Sequence, residues 1–247
     1  MARTLVIPPP RHAPARLIPF AAATPARNMA LDAALLALAD RSTLRLYAWA
    51  PHGVSLGRFQ GPAEAAALAG AGLPMVRRMT GGGAIVHAHE VTYSVLVADD
   101  HPALRGVDVK RSYAVLHGPV RVALAAFGVD VDVRDARVPT AADRDLLCFA
   151  RATELDLVAA GRKITGSAQR RTPGRVLQHG SILLRSHPLQ PGTASIEDVV
   201  GVAPAPEAFA DALAQAFESL LGPLERGAAT AAESAYADGA EAEAVVR

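Results

Sequence analysis

The sequence predicts an α/β domain in which helices flank a mixed, largely antiparallel sheet. Three observations carry that expectation. Helix-like and strand-like segments are interleaved along the chain, and strand pairs are split by short turns such as Pro51-His52-Gly53 and the one near Gly161. Of the 247 residues, 51% are apolar and 20% charged, a composition that builds a packed core and excludes a disordered or collagen-like chain. No internal repeat or second domain is evident, so one domain is expected over residues 1–247.

Taken in order, residues 1–20 read as an extended, proline-rich lead-in. A helix follows to about Ala39, with Thr24 placed as N-cap and Pro25 at its first position. Strands are expected at 44–50 and 54–60, a short Ala-rich helix at 62–70, and further strands at 75–79, 84–87 and 91–97. Apolar residues near a 3.6 spacing from Tyr113 to Phe127 predict a helix over 109–127, stopped by Gly128 and kinked at Pro119. Residues 129–133 alternate as a strand, 155–159 and 162–168 form a hairpin, and 176–184 is another strand. Pro188 to Pro206 reads as linker. Phe209, Leu213, Phe217 and Leu220 mark an amphipathic helix ending at Gly222-Pro223, and the Ala/Glu-rich tail after 227 reads as a frayed helix.

Charge and cysteine usage narrow the class. Twenty-five basic and 24 acidic side chains leave a formal net charge of +1, against a dedicated nucleic-acid binder. A single cysteine, Cys148, cannot form an internal disulfide, and the N-terminal segment lacks the apolar run of a signal peptide. A cytoplasmic protein without a membrane span is therefore expected. All but two of the basic residues are arginine; the exceptions, Lys110 and Lys163, single out Lys163 because an ammonium can trade protons where guanidinium cannot.

Four segments carry candidate chemistry. In Arg77-Arg78-Met79-Thr80-Gly81-Gly82-Gly83, the glycines allow close backbone approach to a ligand, or simply form a flexible hairpin loop with solvated arginines. No Gly-Lys-Ser/Thr follows, and no helix begins after the glycines, so neither a nucleotide-phosphate loop nor a dinucleotide fingerprint applies. Gly166-Ser167-Ala168 and Gln178-His179-Gly180 place small residues in core strands. These leave room for a narrow ligand channel, or mark tight packing or a bulge. Cys148 is either a small buried hydrophobe or a nucleophile whose thiolate needs a neighbouring cation or base, with Lys163, His87, His89 and His179 as candidates. His87 and His89 would share a strand face, but no third ligand is placed near them, so no metal is expected.

These segments, with Arg27-Asn28-Met29-Ala30, Asp32, Ser55 to Gln60 and Glu90 to Ser94, stand in one order over roughly 24–221. In that order the chain resembles the biotin/lipoate A/B protein ligase family. Within it, Cys148-Phe149 thirteen residues before Gly161 resembles the cysteine-dependent octanoyl-[acyl carrier protein]:protein N-octanoyltransferases. Gly83 departs from the arginine frequent in that branch, as does Thr153 to Asp156 from its aromatic and glutamate.

The resemblance implies a class II synthetase/biotin–lipoate ligase-like catalytic domain. It also implies transfer of octanoyl from acyl carrier protein through a Cys148 thioester to a lysine of apo-lipoyl domains, such as glycine-cleavage H protein or a 2-oxoacid dehydrogenase E2. Lys163 would hold the thiolate and take up the amine proton. Arg78, Thr80, Gly81, Gly82, Gly83, His87, Gly166, Ser167, Ala168, Gln178, His179 and Gly180 would bind the acyl substrate, and Arg77, Arg78, Arg170 and Arg171 would attract acidic carrier domains. No cofactor is expected. An ATP-dependent lipoate–protein ligase, an octanoyl amidotransferase between lipoyl domains and a non-catalytic acyl-binding module are the competing readings.

Overall fold

The computed structural model describes residues 11–133 and 156–246. The proline-rich lead-in is in fact a strand from Arg11 onward, β1 (Arg11–Ala23). Its two prolines, Pro14 and Pro19, fall inside register shifts between Arg11 and Arg16 and between Ile18 and Ala21. A proline has no ladder donor to give, and the irregularities let the strand pair around each gap. Helix α1 (Pro25–Leu38) begins where predicted, its Thr24 hydroxyl accepting from the Arg27 amide at 3.2 Å. Crossing over through α1, the chain returns as β2 (Arg41–Trp49) parallel to β1, as a helical connection requires.

After β2 the chain leaves the main sheet. β3 (Gly53–Leu56) is shorter than the 54–60 expected, because residues 57–60 turn. It pairs in a three-stranded sheet with β4 (Met75–Arg77) and β5 (Ile85–His87), beyond helix α2 (Pro62–Ala69). The main sheet resumes with β6 (Glu90–Ala98), all nine residues buried. Helix α3 (Val109–Ala126) carries Pro119 inside it without ending there. Then come β7 (Asp132–Val133), β8 (Leu157–Ala159), β9 (Arg162–Thr172) and β10 (Arg175–Leu183). The β8–β9 turn places both Ala160 and Gly161 at positive φ, which a two-residue hairpin turn requires.

Residues 188–206 are not a linker. They contain helix α4 (Ile196–Val200), and Gln190, Thr193, Ala194, Ser195 and Ile196 are buried, with the Ala194 amide donating to the Lys163 carbonyl at 2.9 Å. Polar, proline-flanked sequence gives no periodic signal when its backbone is satisfied by a neighbouring strand. Helix α5 (Pro206–Leu221) follows. The sequence reading missed β11 (Leu224–Arg226), a three-residue strand parallel to β1. Helix α6 (Ala231–Ala244) is no frayed tail: Glu233 makes a buried double hydrogen bond to Arg16 (2.6 and 2.9 Å), and Ala237 is fully buried in a cluster with Ala30 and Ala34 of α1.

The eight-stranded order is β11-β1-β2-β6-β10-β9-β8-β7, parallel among the first three and antiparallel beyond. Alternation along β2 explains the two cores. Leu44 and Leu46 face Leu116, Val120, Phe209 and Phe217 of α3 and α5, whereas Tyr47 and Trp49 join Met29 of α1 on the opposite side. The functional residues lie on that second side, between the main sheet, α1 and the small sheet. Among the described residues, no helix is long and apolar enough to cross a membrane.

Candidate active site

A narrow, mostly carbon-lined cavity lies between the two sheets. Its floor is Gly166, Ser167 and Ala168 of β9 with His179, Gly180 and Ser181 of β10. Its walls are Tyr47, Trp49, Thr92, Ser55, Ile85, His87, Met29 and Arg78. Seven residues put forward from sequence thus line it: Arg78, His87, Gly166, Ser167, Ala168, His179 and Gly180. Thr80, the three glycines, Gln178 and Lys163 do not.

Two histidine relays set the cavity wall. The His179 ring hydrogen-bonds Asp32 Oδ2 through Nδ1 (2.9 Å) and the Thr80 hydroxyl through Nε2 (2.7 Å). Asp32, fully buried on α1, also receives Arg45 (2.8 Å) and the Tyr47 hydroxyl (2.9 Å). Burial alone would raise this carboxyl's pKa, but the His179 hydrogen bond, the charges of Arg45 and His179, and the Tyr47 bond hold it below the usual carboxylate range. In the second relay His87 contacts Glu90 through Nδ1 and Ser55 through Nε2 (2.7 Å), and its ring lies flat on Trp49 with centroids 3.6 Å apart. Burial, despite the opposing Glu90 and helped by the charges of Arg78 and His179, pushes His87 below the ordinary imidazole range. The ring therefore stays uncharged at neutral pH, as a wall against an apolar ligand demands.

The glycine loop is ordered from inside rather than open to solvent. Arg78 is buried and donates to the Gly81 (2.8 Å), Gly83 (2.7 Å) and Ser55 (2.9 Å) carbonyls. A Cβ on Gly57 would sit 1.9 Å from the Gly82 carbonyl oxygen, so the loop and the β3 turn need glycine at that contact. Arg77 is likewise committed, to the Gly57 and Gln60 carbonyls, and Arg171 to Ser112 and Gln169. The space expected above Gly180 is filled: an added Cβ would lie 2.3 Å from Ser167 Oγ and 2.7 Å from the Tyr93 ring. Tyr93 Oη reaches Ser167 Oγ (3.0 Å), Gln178 donates to Tyr93 (2.6 Å), and His117 Nε2 meets Ser167 Oγ (2.9 Å) on the far face of the sheet.

At the β8–β9 end, Lys163 is buried and paired with Asp156 at 2.8 Å. Leu157 pairs with Thr165 and Val158 with Lys163, so Ile164 is an extra residue in β9. This bulge breaks the strict alternation of the strand beside Lys163, a device that re-aims side chains. Cys148 lies outside the described residues, eight positions before Asp156 in sequence. Sequence reasoning also missed Trp49, Glu90, Thr92 and His117. Their partners come from other elements, and only the Glu90 to Ser94 segment was visible as a strand motif. Among the described residues, no group of three or more His, Cys, Asp or Glu side chains is gathered to hold a metal ion.

Comparison with known proteins decides the family. Residues 24–190, more than half of the chain, match the lipoyl protein ligase A/B catalytic domain. The chain belongs to that family. It is 42% identical over 176 residues to octanoyltransferase LipM of an Exiguobacterium species, covering 65% of this chain and 62% of that protein, so less than two thirds of the relative is spanned. Octanoyltransferase LipM of Kyrpidia tusciae is 34% identical over 256 residues, covering 90% and 93%. The fold is shared with a lipoate-protein ligase A crystallised with ATP (TM-score 0.74, 22% identity, 94% of this chain and 95% of that one). The mixed, largely antiparallel architecture read from the sequence is thus the fold of this ligase family.

Proposed function

We propose that this family member is an octanoyltransferase of lipoate biosynthesis, which moves octanoyl from acyl carrier protein to a lysine of apo-lipoyl domains through a thioester on Cys148. The observation that carries the reading is the cavity: mostly carbon-lined and walled by an uncharged His87 stacked on Trp49. Family membership and relatives named octanoyltransferase support it. Seven carbons beyond the carbonyl gain on the order of 5 kcal/mol on burial, at about 0.8 kcal/mol each.

In the first step Cys148 Sγ attacks the carrier thioester. The new Sγ–acyl bond forms as the bond from the acyl carbon to the carrier's thiol sulfur breaks, and that thiolate takes a proton from solvent. In the second step the acceptor lysine amine attacks the acyl-cysteine. A C–N bond forms, the C–Sγ bond breaks, and the amine proton passes to the departing thiolate. Lys163 supplies positive charge near the reacting groups, its ammonium held by Asp156. The Asp156 pairing favours this electrostatic role for Lys163 over that of proton acceptor.

Incubation with octanoyl-acyl carrier protein without ATP, read by intact mass and peptide mapping, tests the proposal. One octanoyl on Cys148, discharged by an apo-lipoyl domain, is expected. Acceptor modification only from free octanoate plus ATP would overturn it in favour of ligation.

A further inference from the structure

Two open depressions run together along the outside of α1, beneath the glycine loop, sharing Arg58, Met79, Ala33 and Tyr236 in their walls. Five arginines line them, Arg58, Arg77, Arg78, Arg170 and Arg175, against a single carboxylate, Glu243. In a chain of net charge +1 this is a local concentration of positive charge. Three of these guanidiniums are bound to backbone carbonyls: Arg77 and Arg78 at the loop, and Arg175 at Ala39 O (2.7 Å). The guanidiniums of Arg58 and Arg170 have no hydrogen bond or ion pair among the described residues, and Arg58 is exposed beside Phe59, which is 82% exposed. Met29 and Arg78 line both this groove and the acyl cavity, so the groove borders the wall behind which the acyl chain would lie.

We infer that this groove docks the acyl donor, an acidic carrier domain bearing its thioester on a phosphodiester-linked arm, with Arg58 and Arg170 as its free cations. The inference rests on the proposed octanoyl transfer and assigns the donor's place in it. A charged partner needs cations not already committed, which removes Arg77, Arg78 and Arg171 from the docking set. Exposed Phe59 and Tyr236 add the aromatic surface that interfaces favour.

The test is charge reversal, Arg58→Glu with Arg170→Glu, in the full-length protein. With octanoyl-acyl carrier protein, KM should rise about tenfold or more and lose most of its salt dependence, with kcat nearly unchanged. With octanoyl-pantetheine, which has the thioester but no phosphate or protein, both constants should stay at wild-type values, as should KM for the lipoyl-domain acceptor. An unchanged carrier KM, an equal rise with octanoyl-pantetheine, or a rise for the acceptor instead would each overturn the assignment. Should wild-type protein transfer no acyl group, the functional reading fails, and calorimetric binding of unacylated holo-carrier decides the groove separately. Binding weakened by the reversal upholds it, and equal binding refutes it.

Discussion

Lowering the pH should strip stability from the fold through one residue, His117. It is nearly fully buried on α3, its Nε2 meets Ser167 Oγ at 2.9 Å, and its pKa is pulled down to about 4 by burial and by the charges of Lys163 and Arg121. In the unfolded chain the ring titrates near 6.5. The folded state therefore resists a proton that the unfolded state accepts. The uncharged ring's contribution is fully present above about pH 6.5, erodes as pH falls, and stops changing below about pH 4. A gap of about 2.5 pH units at about 1.4 kcal/mol each makes the full loss roughly 3 kcal/mol, of which about 2 is gone by pH 5. Urea unfolding at pH 7.5 and 5.0 should show wild type losing about 2 kcal/mol more than His117→Gln, whose amide keeps a partner for Ser167 without titrating. Comparing the two proteins cancels every other titrating group. Equal losses would refute the buried, uncharged His117. In the folded protein the ring takes up its proton only near pH 4, so its contact with Ser167 persists above that pH.

Three further outcomes follow from the geometry. Gly180→Ala drives a Cβ into Ser167 Oγ and the Tyr93 ring, so thermal melts should show a loss of about 1–3 kcal/mol, and an unchanged melt would mean that strand packing is looser than described. Lys163→Ala leaves Asp156 buried without its ammonium and should cost about 3–5 kcal/mol, while Lys163→Ala with Asp156→Ala should recover much of that stability without regaining acyl transfer. Transfer regained in the double variant, measured by acceptor mass, would remove Lys163 from the chemistry. A hexanoyl thioester, two methylenes short, should react with kcat/KM about 15-fold below octanoyl if the cavity measures chain length, and equal rates would deny it that role.

The elements that announced themselves were those whose signals are local. Thr24-Pro25 caps α1 wherever the helix packs, Ala160-Gly161 turns β8 into β9, and the β-branched run of Glu90 to Ala98 pairs on either edge. Elements that form only because something else satisfies their backbone were missed. β11 is three residues long and exists by pairing with β1, β1 bends its ladder around two prolines, and the 188–206 segment rests on Lys163 and its neighbours. The site divides in the same way. The order and chemistry of the motifs, through the resemblance they carry, put His87, His179 and Gly166 to Ala168 at one site, and these do line one cavity, whereas Gly81, Gly82 and Gly83 do not. Only the tertiary structure decided what each does there. Arg78 turned inward to hold Gly81 and Gly83, Asp32 came from α1 to hold His179, His117 crossed from α3 to hold Ser167, and Tyr93 took the space above Gly180. Each of these contacts joins residues distant in sequence, and a buried polar group takes whichever partner the packed sheets bring within hydrogen-bonding reach.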